Sequence, residues 1–119
     1  MEPTPVEIRL RQKSRLLTIV YEGDEQFDLS FEYLRVHSPS AQVQGHGPGQ
    51  EILQTGKEDV VITAVEPIGH YAVRLVFDDG HDSGLYTWKH LYELGQEQDA
   101  RWTLYLDRLK AAGYARNNH

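Results

Sequence analysis

The chain has 119 residues, 12 Lys and Arg against 18 Asp and Glu, six His and no Cys, for a net charge of −6. That length suits one domain and one core, and the 39% hydrophobic and 25% charged composition is that of a soluble globular chain. The absence of Cys excludes disulfides, thiolate metal sites and a cysteine nucleophile, while net acidity argues against a nucleic-acid or anionic-membrane partner.

The opening MEPTPVEIRLRQKSR is polar and carries two prolines, unlike a signal peptide. The apolar runs Leu16–Tyr21 and Val60–Ile62 are far shorter than the roughly 20 residues of a membrane span. A cytoplasmic protein is expected.

Val6, Ile8 and Leu10 alternate with charged residues and predict a first strand over 6–11. Arg15–Glu22, rich in β-branched and aromatic residues, predicts a second, and Gln26–Leu29 a third after the turn Gly23-Asp24-Glu25. Ser30 is placed to cap a short helix with Phe31 and Leu34 on one face. His37–Gly56, with four Gly and two Pro, reads as a long loop of the kind that is either functional or mobile. A second meander follows: Glu58–Gly69, ended by Pro67 and Gly69, then His70–Phe77, the turn 78–84 and a short strand at Leu85-Tyr86. Thr87 caps a helix with Trp88, Leu91 and Tyr92 on one face and Gly95 at its C-terminal stop. A last helix runs from about Asp99 to Ala112, with Trp102, Tyr105, Leu106 and Leu109 facing the sheet and Gly113 ending it. The expected architecture is α+β: a small, mostly antiparallel sheet domain of two meanders, a short helix after the third strand and two C-terminal helices. It spans 1–119 as a single domain with its core at about 5–113 and a frayed tail at 114–119.

The polar residues that chemistry requires gather in the long loop and the turn Asp78–Gly84. No HExxH, closely spaced His pair, Gly-x-Ser-x-Gly elbow or phosphate-binding Gly-Lys-Ser/Thr loop occurs. The candidate binding surface is Arg35, His37, Ser38, Ser40, His46, Asp79, His81 and Asp82. Its loop is expected to close over the turn, with Arg35 pairing Asp79 or Asp82. A metal reading takes His46 and His81 with Asp79 or Asp82, a mixed nitrogen and oxygen set suited to iron or zinc; turn-capping histidines are the blander alternative.

Glu32–Ala41 with Gln44–Gly47, then Val65–Val73 and Phe77–Trp88, and the opening Pro3–Ile8, together resemble the family named for the N-terminal domain of gamma-butyrobetaine hydroxylase. The resemblance implies a small α+β domain that also stands alone in bacteria with no assigned function. It further implies a link to ATPases of iron–sulfur cluster assembly. In the hydroxylases it implies a zinc site of three Cys and one His. Here Ser38, Ser40 and Val43 stand at the matching Cys positions and only the His is kept, as His81, so loss of that site is expected. The chain is expected to end before any oxygenase domain. The functional expectation is thus a non-catalytic binding or accessory domain, monomeric or weakly dimeric, with a protein partner in iron or iron–sulfur metabolism. The alternative is a small iron- or zinc-binding protein using His46 and His81.

Overall fold

The structure is a computed structural model and describes residues 3–45 and 51–116. Strands β1 (Pro5–Arg11), β2 (Leu16–Tyr21) and β3 (Gln26–Ser30) form one antiparallel sheet in that order. Strands β4 (Ile62–Ile68), β5 (Ala72–Phe77) and β6 (Leu85–Thr87) form a second. Between the sheets in sequence lie α1 (Phe31–Val36) and α2 (Ala41–Gln44); after them come α3 (Trp88–Gln96) and α4 (Gln98–Ala111). The two meanders and three of the helices match the expected α+β plan.

Local chemistry accounts for the connections. Gly23 and Asp24 both take positive φ, 83° and 68°, in the short turn between β2 and β3, a conformation open to Gly and tolerated by Asp. Ser30 Oγ accepts from Tyr33 N at 3.0 Å and Thr87 Oγ1 from His90 N at 3.0 Å, so both expected caps form. Gly113, at φ 77°, ends α4. Pro67 does not end β4. It sits inside the strand, tolerated because β4 is an edge paired only with β5. That strand starts at Ile62 rather than Glu58. Val61 instead exchanges bonds with Asp78: Asp78 N donates to Val61 O (2.9 Å), and Val61 N to Asp78 Oδ1 (3.0 Å).

One core joins both sheets to the helices. Leu17, Ile19 and Leu29 from the first sheet meet Ile62, Val73 and Leu75 from the second, with Phe31, Leu34, Leu91 and Leu94 between them. All six residues of α1 are buried. Its polar groups are satisfied across the molecule. Tyr86 Oη donates to Leu34 O at 2.6 Å, and Tyr33 Oη donates to Leu94 O at 2.7 Å. Such a helix is held by tertiary contacts, since six residues are too few to be stable alone.

Three further expectations are corrected. Gly95 is no helix stop: it lies inside α3, where a Cβ would fall within the envelope of the Phe27 ring. Gly95→Ala, favourable by roughly 1 kcal/mol on helix propensity, is therefore expected to destabilise by about 1–2 kcal/mol net through overpacking. Urea unfolding checks this, and a gain in stability would show that Phe27 yields freely. Secondly, α4 does not face the sheet. Tyr105 and Leu109 pack with Val36 and Leu53, while Trp102 and Leu106 are half-buried. Thirdly, the first part of the tail is tied down. Tyr114 Oη donates to both Glu58 carboxylate oxygens (3.0 and 3.1 Å), and Arg116 pairs with Glu32 and lies over the Trp102 ring at 5.3 Å. Residues 117–119 lie outside the described residues.

Candidate functional site

The start of the long loop does close over the turn that follows β5. Ser40 caps α2 by accepting from Gln42 N at 3.2 Å, and that short helix fixes the loop's first half. The turn arrives from the other side: Asp79 Oδ1 accepts from His81 N at 3.1 Å and directs the imidazole inward. Ser38 Oγ then lies 2.8 Å from His81 Nε2, Gln42 Oε1 3.1 Å from Nδ1, and Ser40 Oγ 2.7 Å from Ser83 Oγ. Gln42 Oε1 is an acceptor, so Nδ1 carries the proton and Nε2 accepts from the Ser38 hydroxyl. Ser38 Oγ in turn accepts from Ser40 N at 3.2 Å. Among the described residues no buried side-chain nitrogen or oxygen lacks a partner.

A charged group braces the clasp. Arg35 Nε reaches Asp79 Oδ2 at 2.9 Å and its Nη1 reaches Gln54 Oε1 at 3.1 Å, while Lys57 Nζ also holds Asp79 Oδ2 at 2.8 Å. The expected Arg35–Asp79 pair is present; Arg35 is buried, 7% exposed. Partial burial alone raises the Asp79 carboxyl, but the Lys57 ammonium, the His81 N–H and Arg35 outweigh it and hold its pKa at about 2. Burial and the Arg35 charge push His81 down.

Ser38, His81 and Gln42 are connected as nucleophile, base and orienting group are in a hydrolase. Yet Ser38 is 0% and His81 4% exposed, so no carbonyl can reach the hydroxyl. The arrangement locks two loops together. The same residues do not form a zinc site. Ser38, Ser40 and His81 do converge, and Val43 is buried. Hydroxyls and a valine do not replace thiolates, and both nitrogens of His81 are engaged. The set does not fit zinc in the form the hydroxylases use. Among the described residues no three His, Asp or Glu side chains gather as a metal would need. His46 lies outside the described residues.

The remaining site residues part company. Asp82 is exposed on the turn, beside exposed Asp78 and Ser83. His37 turns away from the clasp. It ends α1, and its Nδ1 lies 3.0 Å from Tyr33 O, which makes Nδ1 the donor and leaves the lone pair on Nε2. Burial, then the charges of Arg101, His90 and Arg108, lower its pKa to about 4, against the effect of the bond to Tyr33 O. The unfolded chain, with a His near 6.5, binds more protons between these values. Stability is therefore full above pH 6.5 and falls as the pH drops toward 4, by about 3 kcal/mol for this group. Urea midpoints from pH 7 to 4.5 should decline, and less steeply in His37→Gln; equal slopes would remove His37 as the cause.

His37 lines a cleft of about 630 Å³ between the end of α1, residues 51–54 and α4. Sequence periodicity missed this feature. Its one trace is Leu104, an apolar residue on α4 outside the predicted buried stripe.

A family model described as gamma-butyrobetaine hydroxylase-like, N-terminal, matches residues 8–92. A protein solved by solution NMR is 50% identical, with a TM-score of 0.85 over 98% of this chain and 92% of its own. Another NMR structure is 52% identical, with a TM-score of 0.82 over 96% of this chain and 85% of its own. A crystal structure of a protein of unknown function in the DUF971 family, from Acidithiobacillus ferrooxidans ATCC 23270, is 40% identical, with a TM-score of 0.65 over 77% and 92% of the two chains. No curated protein matches. The family match runs from β1 into α3 and so takes in both sheets and both halves of the clasp; the chain belongs to the gamma-butyrobetaine hydroxylase-like N-terminal domain family.

Proposed function

We propose that this chain is a non-catalytic binding or accessory domain, with a protein partner in iron or iron–sulfur metabolism. The observation that carries the first part is the sealing of the clasp. Its Ser38 hydroxyl and His81 imidazole are bonded to one another and closed to solvent, with the exposed Gln42 amide holding the far ring nitrogen, which suits a rigid platform better than a reacting centre. What the clasp presents outward is an acidic rim, Asp78 and Asp82 on a turn braced from beneath by Arg35 and Lys57. A rim of that sign favours a basic surface on the partner. The partner class rests on the family: an ATPase of iron–sulfur cluster assembly is the protein to try first, as a reading by analogy.

The experiment is calorimetric titration of the purified chain with that ATPase from the same organism. A saturable complex, weakened at least roughly tenfold by Asp82→Arg (about 1.4 kcal/mol), is expected. No complex with the ATPase removes it as partner. Metal analysis of the untagged chain runs beside it. Iron or zinc near one equivalent, lost in both His46→Ala and His81→Ala, would replace this reading by the metal-binding one.

A further inference from the structure

The cleft beside His37 is not used by the clasp or by the acidic rim. At about 630 Å³ it has the size of a small-molecule site. Its walls are of three kinds. Val36, Val43, Leu53 and Tyr105 supply buried or half-buried apolar surface. Ile52 and Leu104, 54% and 60% exposed, stand at it as open apolar side chains that internal packing leaves uncovered. Arg101 and Arg108 flank it from α4, two turns apart on one helix face.

The polar groups have defined capacities. Arg101 gives its Nε to Glu97 at 3.1 Å, which leaves its terminal nitrogens as donors. Arg108 has no ion pair among the described residues. Glu51, also at the cleft, is already engaged. His37 is neutral at physiological pH, its proton is fixed on Nδ1, and its Nε2 has no hydrogen-bond partner among the described residues. The cleft therefore offers two guanidinium donors for an anion, one imidazole acceptor for an N–H or O–H, and an apolar surface for a chain.

We propose that this cleft binds a small amphipathic carboxylic acid whose acid group is next to a hydrogen-bond donor, as in an N-acyl amino acid. The carboxylate lies toward Arg101 and Arg108, the adjacent N–H donates to His37 Nε2, and the acyl chain covers Leu53, Leu104 and Ile52. A guanidinium matches a carboxylate in shape and charge, and burying the chain supplies most of the affinity. This is independent of the partner proposed above, since it uses none of the rim residues.

The test is NMR titration of the full chain with N-hexanoylglycine, against two matched probes: its primary amide, which lacks the charge, and octanoate, which lacks the donor. Saturable shifts confined to the cleft below about 10 mM are expected, at least about tenfold weaker for either matched probe. Arg101→Gln/Arg108→Gln should abolish the preference over the amide while leaving the melting temperature within a degree or two. Leu104→Glu should remove binding of all three. No saturable shift with N-hexanoylglycine, equal binding of the amide, or binding unchanged in the double Arg variant overturns the proposal. Equal binding of octanoate overturns the role of His37.

Discussion

Asp79→Ala is expected to destabilise the protein by about 2–3 kcal/mol, less than the cost of breaking a fully buried ion pair because the Asp79 side chain is 23% exposed. Arg35 is 7% exposed and its Nε has Asp79 as its acceptor. Without the carboxylate the guanidinium keeps only Gln54. The loss extends further, because Asp79 also holds Lys57 and accepts from His81 N. One carboxylate thus ties α1, the segment before β4 and the turn after β5. The double variant Arg35→Met/Asp79→Ala removes the stranded charge and is expected to recover part of the loss, a coupling that a double-mutant cycle measures. If Asp79→Ala costs less than about 1 kcal/mol, the bridge behaves as a surface pair and the clasp stands without it. Because the Asp79 pKa is held near 2, below the usual carboxylate value near 3.8, its stabilisation is present above pH 3.8 and lost as the pH falls through 2.

Gly84→Ala should cost about 2–4 kcal/mol, at the upper end of overpacking because the site cannot relax. A Cβ there would collide with Ser38 Oγ and crowd Tyr86 Cε1 at 3.1 Å and Pro39 Cδ at 3.4 Å. None of the three can move away cheaply. Ser38 is bonded to His81 and to Ser40 N, Tyr86 to Leu34 O, and Pro39 is a ring in a tight bend. The glycine is required by close approach, not by a left-handed backbone. Chemical denaturation of Gly84→Ala and Gly80→Ala separates the two causes. At Gly80, where φ is 89° and nothing lies within 4 Å of the added carbon, any loss comes from the backbone alone. A neutral Gly84→Ala would mean that the clasp opens at little cost, and would weaken its reading as a rigid lock.

The clasp explains why the predicted binding residues behave as they do. Arg35, Ser38, Ser40 and His81 carry chemistry that suits a ligand. The fold brings them together and then uses that chemistry internally, while Asp82 stays exposed on the turn and His37 lines the separate cleft. A hydroxyl, an imidazole and an amide recognise one another as well as they recognise a visitor, and burial decides which.

Several features were legible in the residues because they depend on neighbours in sequence. Alternation of Val6, Ile8 and Leu10, and of Val73, Leu75 and Phe77, gave strands; Ser30 and Thr87 gave helix starts; Gly113 gave the end of α4. The short α2 leaves no mark in the sequence, since four residues carry no period and its cap Ser40 looks like any loop serine. Tertiary structure alone decided the rest. Gly95 resembles a helix stop until Phe27, far away in sequence, claims the space above it. The apolar stripe of α4 shows that the helix packs, but not that Val36 and Leu53 rather than the sheet receive it. Tyr114 and Arg116 read as a polar tail because Glu58 and Glu32, their partners, stand more than fifty positions earlier. Periodicity reports which face of an element is buried; what that face meets, and whether a polar group meets water or another side chain, is set by contacts between residues distant in sequence, on which local pattern is silent.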